Sequence, residues 1–244
     1  MTHGSLFSGI GGFELGAQWC GIDTLWNCEI EKYQGEILKK KFPHAKRYTD
    51  IKETTGIEYV DIISGGFPCQ DISISGEGVG ITGSRSGLWN EMYRIIREVR
   101  PKFIIAENSP MLLSRGFEQV LCDLSEAGYN AEWKCIQNSD FGFDHKRERI
   151  YIIAYSKQIG LQSRQLQRGN KIKTIFSETS KESSRHPLSE RIYKMSDCEH
   201  IGINDGLRGW THRVGALGNA VNPVVAKYLF ECILNFNTNM IWNK

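Results

Sequence analysis

The stretch SLFSGIGGFELGAQWC, residues 5–20, decides the fold class. It begins as a short apolar strand, turns through Gly9, Gly11 and Gly12, and continues as an amphipathic helix. A glycine-rich turn between a strand and a helix lets backbone atoms approach a ligand closely. The turn lacks the G-x-G-x-x-G spacing of dinucleotide-binding proteins. Taken alone, it fits a nucleotide-like cofactor loop and a merely tight turn equally well.

The alternation of strand and helix continues along the chain. Strands are predicted at 5–7, 24–27, 59–64, 102–107, 131–136 and 149–155, and helices at 13–20, 31–42, 86–99, 116–127 and 224–236. Short connections between such elements predict an α/β domain with a mostly parallel sheet and helices on both faces. Ligands of these sheets bind at the carboxyl ends of the strands.

Three segments are predicted, with boundaries at 1–155, 156–213 and 214–244, because apolar periodicity stops near Tyr155 and returns near Val214. The net charge of +2 is unevenly distributed. Residues 157–194 hold nine Lys or Arg and three Glu, a local balance of +6, so the remainder carries −4. This asymmetry predicts contact with an anionic partner such as nucleic acid, the alternative being a solvated surface.

Composition excludes several classes of protein. With 40% hydrophobic and 24% charged residues the chain is typical of globular domains. No apolar run approaches the ~18 residues of a membrane span, and no secretory signal is visible at the start. The seven cysteines are scattered and form no Cys-x-x-Cys, so we expect neither a disulfide framework nor a metal site. The expected location is the cytoplasm.

One cysteine occupies an unusual position. Cys69 lies within Gly-Gly-Phe-Pro-Cys-Gln, directly after Pro68 and at the end of a predicted buried strand. A cysteine on a rigid turn at a strand end is exposed to a ligand, whereas structural cysteines lie inside elements. A polarising site would raise its thiolate fraction. This placement favours a nucleophile over an inert buried thiol.

Charged residues also follow predicted strands. Glu29 follows a predicted strand about twenty residues after the glycine turn, where a carboxylate can bind ribose hydroxyl groups, and Asp50 precedes the next apolar segment. Either acid could equally be a surface residue or a helix cap. Glu107 ends an apolar strand, where partial desolvation suits proton donation, although helix capping is an alternative. Arg147 and Arg149 alternate onto one face, which suggests either an anion or base site or a strand-end salt bridge.

Together these motifs resemble the DNA (cytosine-5) methyltransferase family, in the family's own order. Residues 7–12 are similar to its cofactor loop, 65–70 to its nucleophile motif, and 83–89 to the block that follows. The remaining similarities are Glu107-Asn108 to the glutamate-asparagine motif, 146–149 to the Gln-x-Arg-x-Arg motif, and 218–223 to the closing cofactor motif.

The resemblance implies a Rossmann-like fold that binds S-adenosylmethionine and releases S-adenosylhomocysteine. The three segments become a catalytic and cofactor-binding domain, a small target-recognition region, and a C-terminal segment packing back on the catalytic domain. Catalysis is assigned to Cys69, Glu107, Arg147 and Arg149. Cofactor binding is assigned to Phe7, Ser8, Gly9, Gly11, Gly12, Glu29, Ile30, Asp50, Ile51, Pro68, Asn219 and Val221. DNA binding is assigned to Gln70, Ser73, Arg85, Arg168, Lys171 and Lys173.

The implied partner is double-stranded DNA, with a restriction endonuclease acting on the same site as a further partner, and the chain is expected to be a monomer. The sequence departs from the family at His145, where glutamine is usual, and at Ser109-Pro110, where valine is usual. The Arg-Leu-Gln-Gly block is not recognisable. Three alternatives stay open: an RNA cytosine-5 methyltransferase, an inactive cofactor-binding relative, and a dinucleotide-dependent oxidoreductase, which the missing phosphate fingerprint disfavours.

Overall fold

The structure is a computed structural model that describes residues 1–68, 87–159, 174–177 and 219–241. Within these ranges seven strands form one sheet, in the order β3-β2-β1-β4-β5-β7-β6. The strands are β1 (Thr2–Leu6), β2 (Asp23–Cys28), β3 (Lys46–Tyr48), β4 (Ile62–Gly66), β5 (Phe103–Asn108), β6 (Tyr129–Gln137) and β7 (Glu148–Ser156). The helices are α1 (Gly12–Trp19), α2 (Lys32–Lys41), α3 (Gly87–Val99), α4 (Phe117–Glu126) and α5 (Pro223–Ile241).

The sheet is mostly parallel, which confirms the predicted fold class. The first five strands in chain order pair in parallel, whereas β7 lies between β5 and β6 and is antiparallel to both. Only a short 3-10 helix, Asn138–Phe141, and a loop connect β6 to β7. Since a parallel crossover needs a dozen or more residues, usually with a helix, this short connection favours an antiparallel pair.

Helices cover both faces of the sheet because the buried strands are apolar on both sides. Along β5, Ile104 and Ala106 belong to one core cluster and Phe103 and Ile105 to the other. The first cluster includes the apolar residues of α3 and α4, and the second includes those of α1 and α5. Side chains alternate between faces along a strand, so near-continuous apolar runs are the expected pattern for such a sheet.

One predicted strand was misplaced. The run 59–64 was predicted to end at the glycine pair, but β4 includes Gly65 and Gly66, which pair with Ala106 and Glu107 of β5. Tyr59 lies outside the strand and is half exposed. The parallel neighbour supplies a continuous ladder, so glycine does not end the strand here. As a result, β4 leads directly to Phe67 and Pro68.

The C-terminal helix returns to the start of the chain. α5 packs against α1, and Ile175 and Phe176 are buried in the same core cluster. The division into 1–155, 156–213 and 214–244 stays a prediction, because most of the middle segment lies outside the described residues. No helix in the described ranges is both long enough and apolar enough to cross a membrane.

Candidate active site

A cavity of about 520 Å³ opens at the carboxyl ends of β1, β2, β4 and β5. Strand ends of an open parallel sheet leave a crevice there, which is the expected ligand position. Its walls bring together most of the described candidate residues from distant parts of the sequence. These lining residues are Phe7, Gly9, Glu29, Ile30, Asp50, Ile51, Pro68, Glu107, Arg147, Arg149 and Asn219.

The glycine turn after β1 forms one wall through an unusual backbone conformation. Phe7 has φ 54° and Gly9 has φ 57°, both in the left-handed region. A Cβ added at Gly9 would meet no atom within 4 Å, so the backbone there faces open space at the cavity wall. The turn is therefore shaped to present peptide groups rather than side chains.

Glu29 fixes this turn to the end of β2. Its Oε2 accepts a hydrogen bond from the Gly9 amide at 2.7 Å, and its Oε1 accepts one from the Glu31 amide at 2.8 Å. The side chain is buried yet lines the cavity. Each carboxylate oxygen has a second lone pair, so Glu29 can still accept hydrogen bonds from ligand hydroxyl groups.

Another part of the wall is formed by the loop that follows β3. Asp50 accepts a hydrogen bond on Oδ1 from the Lys52 amide at 2.9 Å, which holds its carboxylate within a local turn. Ile51 is 5% exposed and belongs to the core. Ile30 is 64% exposed and also lines the cavity. An exposed apolar side chain beside carboxylates suits a flat ring with a polar edge.

Four predicted cofactor residues do not line the cavity. A Cβ at Gly12 would lie 2.2 Å from the Val221 carbonyl oxygen, so this glycine allows the segment before α5 to approach α1. Asn219 reaches the cavity at the start of this segment. The four residues that contact other parts of the protein instead of lining the cavity are Ser8, Gly11, Gly12 and Val221.

Glu107, near the end of β5, contributes a buried carboxyl group to the cavity wall. It is 9% exposed, and its Oε1 lies 3.0 Å from Arg149 Nε. Burial raises the pKa of Glu107 above its usual value, and the positive charges of Arg149 and Arg147 offset only part of this effect. A buried carboxyl group with a raised pKa can carry a proton closer to neutral pH.

The two arginines lie on either side of Glu148, the first residue of β7. Arg149 pairs with Glu107 and also donates a hydrogen bond to the Glu148 carbonyl at 2.7 Å. Arg147 lies just before the strand, and both arginines line the cavity. The antiparallel pairing of β7 with β5 explains this proximity, because it brings the first residues of β7 to the carboxyl end of β5.

Asn108 secures the turn that leads to Cys69. Its Nδ2 donates a hydrogen bond to the Phe67 carbonyl at 3.1 Å, and its Oδ1 accepts one from the Ser109 amide at 2.7 Å. Asn108 therefore joins the ends of β4 and β5 directly before Pro68. Cys69 is the next residue in the chain and lies outside the described residues.

His145, which replaces the usual glutamine, has a structural contact. The side-chain Nδ2 of Asn138 donates a hydrogen bond to His145 Nε2 at 2.7 Å. The backbone amide of the same residue donates to the Arg147 carbonyl at 3.1 Å. The histidine thus stabilises the loop that positions Arg147, because both residues are hydrogen-bonded to Asn138. An imidazole nitrogen can accept a hydrogen bond much as a glutamine oxygen would.

Some candidates cannot be placed and some lining residues were not predicted. The candidate nucleophile and all six DNA-binding candidates lie outside the described residues: Cys69, Gln70, Ser73, Arg85, Arg168, Lys171 and Lys173. The unpredicted lining residues are Cys28, Glu31, Gln34, Thr49, Lys52, Gly66, Phe67, Leu88, Asn108 and Ser109. Most of them adjoin predicted residues; Glu31 directly precedes α2, and Gln34 lies in the first turn of that helix.

Comparison with known proteins identifies the family. A family model described as C-5 cytosine-specific DNA methylase matches residues 1–204. The chain belongs to this family. One curated relative is the Type II methyltransferase M2.BsuMI of Bacillus subtilis, which is 37% identical over 158 residues, or 62% of this chain and 41% of the relative. Another is M.HhaI of Haemophilus parahaemolyticus, 32% identical over 71% of this chain and 54% of the relative.

The fold is shared with solved methyltransferase structures. One is a candidate DNA modification methyltransferase from an E. coli prophage, with a TM-score of 0.68, 18% identity, and coverage of 98% of this chain and 99% of that one. The chain spans about half the length of the curated Type II methyltransferases that it matches. The family and the Rossmann-like fold are therefore established, and the activity of this chain is a separate question.

Proposed function

We propose that this chain transfers a methyl group from S-adenosylmethionine to carbon 5 of a cytosine in DNA. One observation carries the proposal: a single cavity is lined both by Phe7, Glu29 and Asp50 and by Glu107 with Arg149. Methyl transfer requires a donor site and an acceptor site that share one space. Transfer of labelled methyl groups to duplex DNA, compared with transfer to tRNA, tests the reaction and separates it from the RNA alternative.

The residues that line the cavity are suited to binding S-adenosylmethionine. The buried carboxylate of Glu29 suits ribose hydroxyl groups, the exposed Ile30 suits an adenine face, and the open backbone at Gly9 accommodates a close approach. Asp50 and Asn219 would supply further polar contacts. When bound, the cofactor supplies an electrophilic methyl group, and S-adenosylhomocysteine is the product.

The side chains of the acceptor side have complementary roles in this proposal. The thiolate of Cys69 would add to carbon 6 of cytosine, while Glu107 protonates or holds ring nitrogen 3 so that charge does not accumulate there. Arg147 would bind the exocyclic oxygen as a fixed positive group, and Arg149 would hold Glu107 in place. Carbon 5, now enamine-like, accepts the methyl group. Loss of its proton and elimination of the Cys69 thiolate then restore the aromatic ring.

A cytosine in a duplex must leave the base stack to reach this cavity, at a cost of a few kcal/mol. Gln70, Ser73 and Arg85 follow Cys69 in the sequence and would contact the DNA around the extruded base. The relatives named above are called Type II methyltransferases, so we extend the proposal to a restriction endonuclease that acts on the same DNA site. We further propose a cytoplasmic monomer.

The ribose role of Glu29 is testable by thermal unfolding. S-adenosylmethionine should raise the melting temperature of the wild-type protein, because a ligand that binds only the folded state stabilises it. Glu29→Ala should reduce this shift, since it removes a buried acceptor and releases the Gly9 turn. Glu36→Ala, at an exposed acid on α2, is the matched control. An undiminished shift in Glu29→Ala would contradict the ribose role.

The basic segment 157–194 is proposed to contact DNA phosphates. Released counterions make affinity fall with salt, with a log–log slope of about −0.9 per phosphate contact. Arg168→Ala, Lys171→Ala and Lys173→Ala should each weaken binding, and loss of a phosphate contact should lower the slope by about one. Lys39→Ala, at an exposed lysine of α2, is the control. If no variant changes the affinity, the slope or the specificity, the segment is a solvated surface.

A further inference from the structure

Two side chains of α3 hold the loop that forms the Asp50 wall of the cavity. They are Arg94 and Glu98, one helical turn apart, and are called the α3 clasp below. Arg94 Nη2 donates to the Ile51 carbonyl at 2.7 Å, and Nη1 donates to the Thr54 carbonyl at 3.1 Å. Glu98 Oε1 accepts from the Gly56 amide at 2.7 Å. The α3 clasp therefore binds both backbone carbonyls and a backbone amide of the loop that follows β3, all from one helix.

These loop groups need partners because the loop belongs to no helix or strand. Backbone carbonyls buried without a hydrogen bond are costly, and residues 50–57 supply few bonds of their own. Asp50 accepts local bonds from the Lys52 amide at 2.9 Å, on its side chain, and from the Glu53 amide at 3.2 Å, on its carbonyl. Thr54 adds two more, because its hydroxyl donates to the Asp50 carbonyl at 2.6 Å and its amide donates to the Ile51 carbonyl at 3.3 Å. Arg94 thus adds the shortest bond that the Ile51 carbonyl receives within the described residues.

The guanidinium of Arg94 is itself fixed in place. Its Nε lies 2.8 Å from Glu91 Oε2, and its Nη1 lies 3.5 Å from Glu98 Oε2. A planar fork held by carboxylates on both sides can bind two carbonyls in one geometry, which a lysine ammonium cannot do. The helix that carries it is anchored in the core by Trp89, Met92 and Ile96.

We infer that the α3 clasp is a positioning device that shapes the Asp50–Ile51 wall for the cofactor, although neither of its side chains lines the cavity. This inference rests on the proposed function, because it concerns the same cofactor site. Loss of the clasp leaves Glu107 and the arginines of β7 untouched. It should therefore reduce cofactor affinity and raise KM for S-adenosylmethionine, with a much smaller change in kcat.

The test is calorimetric binding of S-adenosylhomocysteine to the full chain at a temperature well below unfolding. Arg94→Gln should raise Kd by about tenfold, the factor expected from losing charge-assisted hydrogen bonds that order the site. Arg94→Lys should give a smaller loss because it can bind one carbonyl. Arg97→Gln is the matched control, since Arg97 lies on the exposed side of the same helix, over the Tyr93 ring.

A second measurement guards against a variant that folds poorly. Amide hydrogen exchange within residues 50–57 should become faster in Arg94→Lys and in Glu98→Ala, with the sheet unchanged. Equal Kd values for wild type and Arg94→Gln would rule out the positioning role of the α3 clasp, and so would an equal loss of affinity in Arg97→Gln. Either result would leave the proposed function standing. Failure of the wild-type chain to bind S-adenosylhomocysteine would overturn the proposed function and this inference with it.

Discussion

Cys69→Ser is expected to abolish methyl transfer, with a loss on the order of 10³- to 10⁶-fold in kcat, the range found when a covalent nucleophile is removed. A thiol is a few per cent ionised at pH 7 and intrinsically nucleophilic, whereas a serine hydroxyl stays protonated. The substitution removes no packing volume of consequence. Incorporation of labelled methyl groups into duplex DNA measures the effect.

The control for this variant is Cys122→Ser, because Cys122 is an exposed free cysteine on α4. It should retain wild-type activity. Both variants should keep the melting-temperature shift caused by S-adenosylmethionine, which separates loss of chemistry from loss of folding. Activity of Cys69→Ser close to that of the wild type would rule out the covalent mechanism proposed for this chain.

Glu107→Gln is expected to lower kcat by about 10²- to 10⁴-fold, the usual contribution of a general acid. Glutamine keeps the shape of the side chain and can still accept a hydrogen bond from Arg149, but it cannot supply a proton to the ring. The wild-type pH profile adds a second test. Because burial raises the pKa of Glu107, its protonated form persists to higher pH and is lost as the pH rises through that pKa. Wild-type kcat should therefore fall on the alkaline side.

In Glu107→Gln that alkaline decline should disappear, since the titrating group is gone. Glu126→Gln, at an exposed acid near the end of α4, should leave both kcat and the profile unchanged. A Glu107→Gln variant that keeps the wild-type rate and the alkaline decline would show that another group donates the proton.

The sequence predicted the buried strands and the residues at their ends because these depend on local pattern. The runs that became β4, β5 and β7 are apolar on both faces, and Glu29, Glu107 and Arg149 are polar residues placed where such runs end or begin. A parallel sheet brings those ends to one edge, so the position of the cavity followed from the pattern.

Features set by tertiary pairing were not predictable in this way. β3 has three residues, two of them basic, and acquires its strand conformation from its pairing with β2. β4 continues through two glycines because β5 provides a ladder. The contact of Asn108 with Phe67 and the clasp of Arg94 on Ile51 join residues about 40 positions apart. No local motif marks such contacts.

The position of β7 in the sheet also depends on tertiary pairing and was not predictable from local pattern. Arg147 and Arg149 were predicted to share a face, but their partner depended on which strand β7 joined. Insertion of β7 between β5 and β6 supplied Glu107 as that partner. The salt bridge is present, and both arginines also line the cavity, so the binding of an anion or a base edge there stays a prediction.

The most direct test of the central claim is bisulfite sequencing of DNA from cells that express this chain, with cells expressing Cys69→Ser as the control. Methylation at carbon 5 protects cytosine from conversion. The proposed function predicts protected cytosines at one fixed position within a short recurring DNA word, present with the wild type and absent with the variant. Complete conversion of all cytosines, in cells where the wild-type protein is folded and binds S-adenosylmethionine, would contradict it.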